Sequence, residues 1–90
     1  MNLYTIVVEF RGGTYISQVY ADSEMAAVKA WAGLMAERQD LGRMTDRFIN
    51  SILLDHQPSL LTPLDGLKNV WCFSALVGRT GLLGNLILSK

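Results

Sequence analysis

The chain carries one cysteine and one histidine, which are its most reactive candidate side chains. A cysteine nucleophile needs an imidazole or another positive neighbour that favours the thiolate. Cys72 and His56 could form such a pair, but a cysteine in a strand is usually a buried small hydrophobe and a lone loop histidine is usually solvated. We therefore predict no catalytic residue, and we retain five candidates for a ligand-binding cleft: His56, Asp65, Trp71, Cys72 and Arg79.

The stretch from residue 70 to residue 81 resembles the protein tyrosine phosphatase signature. In that family, five residues separate a cysteine nucleophile from an arginine, and their backbone N–H groups encircle a phosphate. Here six residues separate Cys72 from Arg79, and Trp71 stands where the family has a histidine. The additional residue breaks the convergence of sulfur, amides and guanidinium on one anion. We interpret the stretch as a strand followed by a glycine turn.

Metal ions and cofactors have no recognisable site in the sequence. Asp55 and His56 offer two possible metal ligands, but no third follows at a known spacing. The glycines of residues 78–84 come without the lysine of a phosphate-binding loop, so we interpret them as turn residues. We predict no metal and no cofactor.

Composition and charge limit the classes of protein to which the chain can belong. Ninety residues make about one domain and half of them are apolar, so we predict a single folded domain over residues 1–90. Eight basic and eight acidic side chains cancel, which argues against nucleic acid or an anionic membrane as a partner. The lone cysteine suits a reducing compartment, and no signal peptide is recognisable. The longest apolar stretch, residues 70–88, is interrupted by Arg79 and three glycines, so it does not fit a membrane-spanning helix. We expect a soluble cytoplasmic protein without a membrane span.

The first structural element that the sequence predicts is a β-hairpin over residues 3–20. Apolar and polar residues alternate on both sides of Gly12 and Gly13, which suit a type I′ turn because both central positions need positive φ. This turn would pair Phe10 with Tyr15. The core face would then consist of Tyr4, Ile6, Val8, Phe10, Tyr15 and Val19.

A helical segment follows the hairpin. Asp22 or Ser23 can cap a helix whose apolar residues recur at three- and four-residue spacing over residues 23–38. Gly42 would end or bend it. Residues 48–54 fit a helix and a strand equally well, and both alternatives stay open.

The last third of the chain predicts an ordered loop and a second hairpin. Residues 55–68 contain both prolines and an Asp-Gly pair, which are typical of turns. Strands over residues 69–77 and 82–89 would flank a four-residue loop and pair Val77 with Leu82. The predicted fold is α+β, a two-layer sandwich in which two hairpins form a four-stranded, mainly antiparallel sheet with one or two helices on one face, in the order β-β-α-(α)-β-β.

The predicted outer face of this sheet is the strongest functional signal. It keeps many apolar residues, and a half-apolar face commonly marks burial against a partner, while exposed strand edges add a second route to association. We predict a homo-oligomer, with a dimer favoured, or another protein partner. The interface candidates are Val7, Ile16, Tyr20, Leu76, Leu83 and Ile87.

Three hypotheses about function follow. The leading one is a small non-catalytic interaction or regulatory module that self-associates. The alternative is a small-molecule binder or small enzyme that uses a cleft between the loop of residues 55–68 and the C-terminal hairpin. A third is a nucleic-acid module, and the neutral net charge argues against it. It would need scattered cations to gather on one surface: Arg11, Arg38, Arg43, Arg47 and Lys68.

Overall fold

The computed structural model describes residues 1–54, 61–64, 66 and 68–89. This part of the chain forms an α+β fold with a five-stranded antiparallel sheet of order β2-β1-β5-β4-β3 and two helices. The sheet has one more strand than the four that the sequence predicts. The elements are β1 (Asn2–Phe10), β2 (Gly13–Ala21), α1 (Glu24–Arg38), α2 (Thr45–Leu54), β3 (Thr62–Pro63), β4 (Val70–Val77) and β5 (Thr80–Leu88).

The first hairpin turns at Arg11 and Gly12, not at Gly12 and Gly13. Arg11 has φ 49° and Gly12 has φ 79°, so both turn positions have the positive φ of a type I′ turn. Phe10 therefore pairs with Gly13, and the predicted pairing of Phe10 with Tyr15 is wrong by two residues. A shift of two positions leaves every side chain on its predicted face, because the side-chain period of a strand is two. The predicted core face of this hairpin is confirmed.

The second hairpin has a tighter turn than the four-residue loop that the sequence predicts. Gly78 and Arg79 form a two-residue turn, so Val77 pairs with Thr80 and not with Leu82. Only the first turn position has positive φ, as in a type II′ turn. The remaining glycines of this region, Gly81 and Gly84, therefore lie inside β5 and not in a turn.

Gly84 makes room for an aromatic ring in the core. A Cβ added at this position would lie 2.3 Å from Cζ of Phe73, the residue that pairs with Gly84 across β4 and β5. The same ring meets Trp31 of α1 edge to face, with 5.4 Å between the ring centres. The absence of a side chain at residue 84 thus lets Phe73 fill the space between the sheet and α1.

Both helices pack on the same face of the sheet, which we call the inner face. The Ser23 hydroxyl caps α1 by accepting the Ala26 N–H at 3.2 Å, so of the two caps that the sequence allows, Asp22 and Ser23, the structure uses the second. Gln39, with φ 53°, ends the helix by donating its N–H to the Met35 carbonyl at 2.7 Å. Gly42 instead begins a short 3-10 turn, Gly42–Met44, so the prediction that it ends or bends α1 is wrong.

The segment that fits both helix and strand in the sequence is helical, and it forms most of α2. Phe48 and Ile52 are buried one turn apart, and Phe48 meets Phe10 of β1 edge to face at 5.4 Å. α1 packs on β2 and α2 packs on β4, so the core lies between the inner face and these helices. Among the described residues, no helix has the length and apolar character needed to cross a membrane.

The fifth strand comes from the predicted loop of residues 55–68. Thr62 pairs with Cys72 and Pro63 pairs with Trp71, while Leu61 packs against the core. Positions 55–60, 65 and 67 of this loop lie outside the described residues. A strand of two residues that includes a proline has no recognisable pattern in the sequence, and its pairing depends on contacts with β4.

Candidate interaction surface on the outer sheet face

The outer face of the sheet points away from α1 and α2. It takes four positions from each of the four long strands, because successive side chains of a strand point to opposite faces. Of these positions, only Glu9 carries a charge. The outer face consists of Leu3, Thr5, Val7, Glu9, Thr14, Ile16, Gln18, Tyr20, Val70, Cys72, Ser74, Leu76, Gly81, Leu83, Asn85 and Ile87.

The large apolar side chains that the described residues expose are concentrated on this face. Ile16 is 62% exposed, Tyr20 66%, Leu76 67% and Leu83 46%. Apart from Met1, these four are the exposed large hydrophobic residues of the described part of the chain. A water-facing sheet surface normally carries polar side chains, because alternation along each strand puts the apolar residues on the covered face. The concentration of large apolar residues here therefore marks a surface suited to burial.

Neighbouring strands bring the apolar residues of the outer face together in pairs. Val7 stands opposite Ile16 across β1 and β2, and Leu3 stands opposite Tyr20. A third pair joins the last two long strands, because Val70 of β4 lies opposite Ile87 of β5. Directly opposite side chains lie about 5 Å apart, close enough for the two members of each pair to form one apolar patch.

Polar groups on the same face bond to one another. The Gln18 amide donates to the Thr5 hydroxyl at 3.1 Å, and the hydroxyls of Thr5 and Ser89 are 2.7 Å apart. This chain of hydrogen bonds runs across β2, β1 and the residue that follows β5. Because these polar groups partly satisfy one another, a partner that covers them displaces fewer water contacts than it would over isolated groups.

A groove of about 910 Å³ continues the outer face around the end of the sheet where both hairpins turn. Outer-face residues such as Glu9 and Leu83 line one side, and Ser51 of α2 lines the other. Arg11 also lines it, with its guanidinium 5.3 Å from the centre of the Phe10 ring. The groove offers apolar and polar contacts side by side, so it extends the area available to a partner.

The candidate ligand residues do not form one site in the described structure. Trp71 lies on the inner face with the core, while Cys72 lies half-buried on the outer face opposite Asn85. Arg79 lies in the hairpin turn, seven residues from Cys72, which is about 23 Å along an extended strand. The phosphate-encircling loop of the phosphatase signature is therefore not formed. His56 and Asp65 lie outside the described residues.

A smaller hollow, of about 260 Å³, contains one of these candidates. Trp71 lines it together with Leu61 and the start of α1, Ser23, Glu24 and Met25. Neither Cys72 nor Arg79 lines this hollow. Within the described part of the chain, no three His, Cys, Asp or Glu side chains are placed to hold a metal ion.

Comparisons of this chain with known protein families, with curated proteins and with solved structures found no match.

The sequence identifies all six interface candidates as outer-face residues, and the structure places them there. Sequence reasoning missed that this face is almost free of charge, because it weighed the apolar residues and did not count the charged ones. That signal was present, since the face assignment depends only on alternation along each strand. The groove at the turns was not predictable in the same way, because it depends on how two hairpins and α2 meet.

Proposed function

We propose that this chain is a small non-catalytic interaction module that self-associates through its outer face. The observation that carries the proposal is the charge distribution of the molecule. Among the sixteen outer-face positions only Glu9 is charged, whereas residues 24–47, which form α1 and the start of α2, contain eight charged side chains. Cores of protein interfaces are depleted in charge, as this face is.

A second copy of the chain suits this face better than an unlike charged partner. In an isologous contact the same surface meets itself, so a nearly neutral surface brings few like charges together. Homodimer interfaces are also more apolar than those of transient complexes. Sheets with apolar faces stack face to face about 10 Å apart, which is the arrangement that we propose for two outer faces.

The area of the outer face determines what fraction of it a stable contact between two copies must bury. Four strands span about 19 Å across, and nine residues span about 30 Å along the sheet. This footprint is about 600 Å² before side-chain relief is added, against about 800 Å² per partner in a standard interface. The contact must therefore involve the whole face together with part of the groove, and not a single strand.

The alternative, a small-molecule binder beside the C-terminal hairpin, has less support. The hollow at Trp71 is about 260 Å³, below the range of about 300–1,000 Å³ that is usual for ligand pockets. It would gain support from a ligand that co-purifies with the protein and changes the fluorescence of Trp71.

The proposal is tested by native mass spectrometry and light scattering on wild type and on two charge variants. We expect the wild-type chain to be an oligomer that dissociates on dilution. The variant Leu76→Glu/Leu83→Glu places two like charges on each outer face, so we expect it to lose the contact made by this face. The control Ala36→Glu adds the same type of charge at an exposed position of α1, away from the outer face.

The outcomes separate the hypotheses. Loss of assembly in the outer-face variant, with assembly kept in Ala36→Glu and circular dichroism unchanged in both, supports the proposal. A wild-type protein that stays monomeric at all concentrations contradicts it, and so does an outer-face variant that assembles as well as wild type. A monomer with additional bound mass would favour the ligand-binding alternative.

A further inference from the structure

Strand β2 ends the sheet, and its outer backbone groups have no partner strand among the described residues. The Ser89 N–H donates to the Leu3 carbonyl at 2.8 Å, so Leu3 and every second residue after it in β1 bond to β5. The intervening residues of β1 bond to β2. It follows that four residues of β2 direct their N–H and C=O groups to the free edge: Thr14, Ile16, Gln18 and Tyr20.

The two edges of the sheet differ in their protection. The edge strand β3 has two residues, and one of them is Pro63, which has no N–H. β2 has nine residues without a proline or a charge, and its pairing with β1 is unbroken from Ala21 to Gly13. Natural edge strands are usually made short or protected by lysine, proline or a bulge. β2 has none of these devices, so it is a template for another strand.

We infer that β2 pairs in antiparallel orientation with β2 of a second copy, which joins two sheets into one sheet of ten strands. This inference rests on the proposed self-association and adds a second, separate contact to it. A two-fold axis beside Ser17, the middle residue of β2, gives full overlap of Gly13–Ala21 with its copy. The four outward-bonding residues then meet one another, and about eight hydrogen bonds form across the axis.

The side chains of β2 are compatible with this pairing. With the axis at Ser17, Ile16 faces Gln18 of the second copy and Thr14 faces its Tyr20, so apolar and uncharged polar groups meet on the outer face. On the inner face each Tyr15 faces a Val19. No charged residue faces another, so the pairing meets no electrostatic repulsion within the strand.

The helix above β2 is also compatible with a second copy beyond the edge. Arg38 of α1 donates to the Ser17 hydroxyl at 3.5 Å, which locates this side of the helix above β2. Leu34 and Ala30 precede Arg38 by four and eight residues, so they lie on the same side of α1. Leu34 is half-buried and Ala30 is exposed. Ala30 adds little bulk on this side, and the charge of Arg38, which lies near the axis, is partly offset by Asp40 of its own chain at 3.8 Å.

The assembly that results is finite. Pairing across a two-fold axis uses the β2 edge of both copies, so this contact does not repeat into a fibre. At the opposite edge, among the described residues, β3 pairs with β4 only at Trp71 and Cys72, and this edge takes no part in the inferred contact. The outer faces remain uncovered in this dimer. If the outer face also makes its contact, two such dimers stack into a tetramer, and each variant below removes one of the two contacts.

Hydrogen exchange of individual backbone amides tests the inference on the full wild-type chain. The amides of Tyr15, Ser17 and Val19 bond to β1 and are protected in any folded form. In the paired dimer we expect those of Thr14, Ile16, Gln18 and Tyr20 to exchange within about tenfold of that slow group. An oligomer in which these four amides exchange as fast as exposed loops overturns the edge pairing and leaves the proposed function standing. A monomer overturns both.

A variant at the edge tests the same contact independently. Gln18→Pro removes an outward N–H and no backbone bond to β1, and proline is tolerated on an edge strand with its N side to solvent. Proline and threonine at this position both lack the Gln18 amide that donates to the Thr5 hydroxyl, so the control Gln18→Thr matches this loss. We expect it to lose one dimerisation step, whereas the control Gln18→Thr keeps it. A Gln18→Pro protein that folds and assembles like wild type overturns the inference. If this variant does not fold, the exchange of the wild-type amides decides alone.

The two contacts are also distinguishable from each other. If Leu76→Glu/Leu83→Glu remains a dimer with protected Thr14, Ile16, Gln18 and Tyr20 amides, the edge pairing stands without the stacked outer faces. If Gln18→Pro remains a dimer and the outer-face variant does not, only the outer-face contact stands and the edge pairing is overturned.

Discussion

The inner and outer faces of the sheet are made by the same four long strands, but only the inner face is covered. Ile6, Val8 and Leu86 are buried below the helices, whereas Val7 and Leu83, their neighbours on the other face, reach the surface. Both faces carry large apolar residues, so hydrophobicity alone does not tell them apart. The comparison shows that alternation assigns a residue to a face, and that the near absence of charge on an uncovered face indicates a surface suited to a partner.

The largest difference between the two faces should appear when one leucine is removed from each face of β5. Leu86→Ala should lower the free energy of unfolding by about 2–5 kcal/mol, because Leu86 is fully buried and a cavity remains. Leu83→Ala should cost about 0.5 kcal/mol in the monomer, because its side chain is 46% exposed. Denaturation in urea at low protein concentration measures both. Equal losses would mean that the outer face is as closely packed as the inner one.

Replacing two glycines of the same strand by alanine should change stability less, but in opposite directions on the two faces. Gly84→Ala should lower the free energy of unfolding by about 1–3 kcal/mol, because the new Cβ would overlap the Phe73 ring. Gly81→Ala lies on the outer face, where the nearest atom, a methyl carbon of Leu76, is 3.9 Å from the new Cβ. It should be neutral or raise stability by up to about 1 kcal/mol. Thermal unfolding of both variants checks the prediction, and a harmless Gly84→Ala would contradict the packing of Phe73.

The smallest difference that we expect between two variants tests the turn that sets the register of the first hairpin. Gly12→Ala should lower stability by about 1 kcal/mol, because Gly12 has φ 79° and alanine is strained there. Gly13→Ala should cost less, since Gly13 has no positive φ and the tight contact is with the movable end of the Tyr15 side chain. Equal losses at both positions would instead favour the Gly12-Gly13 turn that the sequence suggests.

The fold class, the faces of the long strands and α1 were predictable because each depends on local periodicity. Alternation assigns Val7 and Val8 to opposite faces whatever the turn, and the Ser23 cap is recognisable from adjacent residues. The register was not predictable from alternation, because a shift of two residues produces the same pattern. Arg11 takes a positive φ only in the observed register, and nothing in its residue type indicates this.

The candidate site residues were likewise predictable where they depend on local periodicity and not where they depend on tertiary contacts. The outer-face candidates depend on strand alternation, so the sequence locates Ile16 and Leu83 correctly. The ligand candidates depended on how the loop of residues 55–68 meets the C-terminal hairpin, which no local pattern shows. Trp71 and Cys72 are adjacent, yet they lie on opposite faces. The open edge of β2 could not be recognised before the strand order was known, because any of the four predicted strands could have ended the sheet.

The position of β5 beside β1 has a consequence for how the chain is made. Tyr4 pairs with Leu88 and Phe10 with Leu82, so the partners lie more than seventy residues apart. During synthesis the first hairpin and α1 leave the ribosome long before β5 does, and β1 keeps an unpaired edge throughout that time. Pairing of such distant segments is slow, and unpaired strands are prone to aggregate. The interval between the emergence of β1 and that of β5 is therefore when this part of the chain is most prone to aggregate.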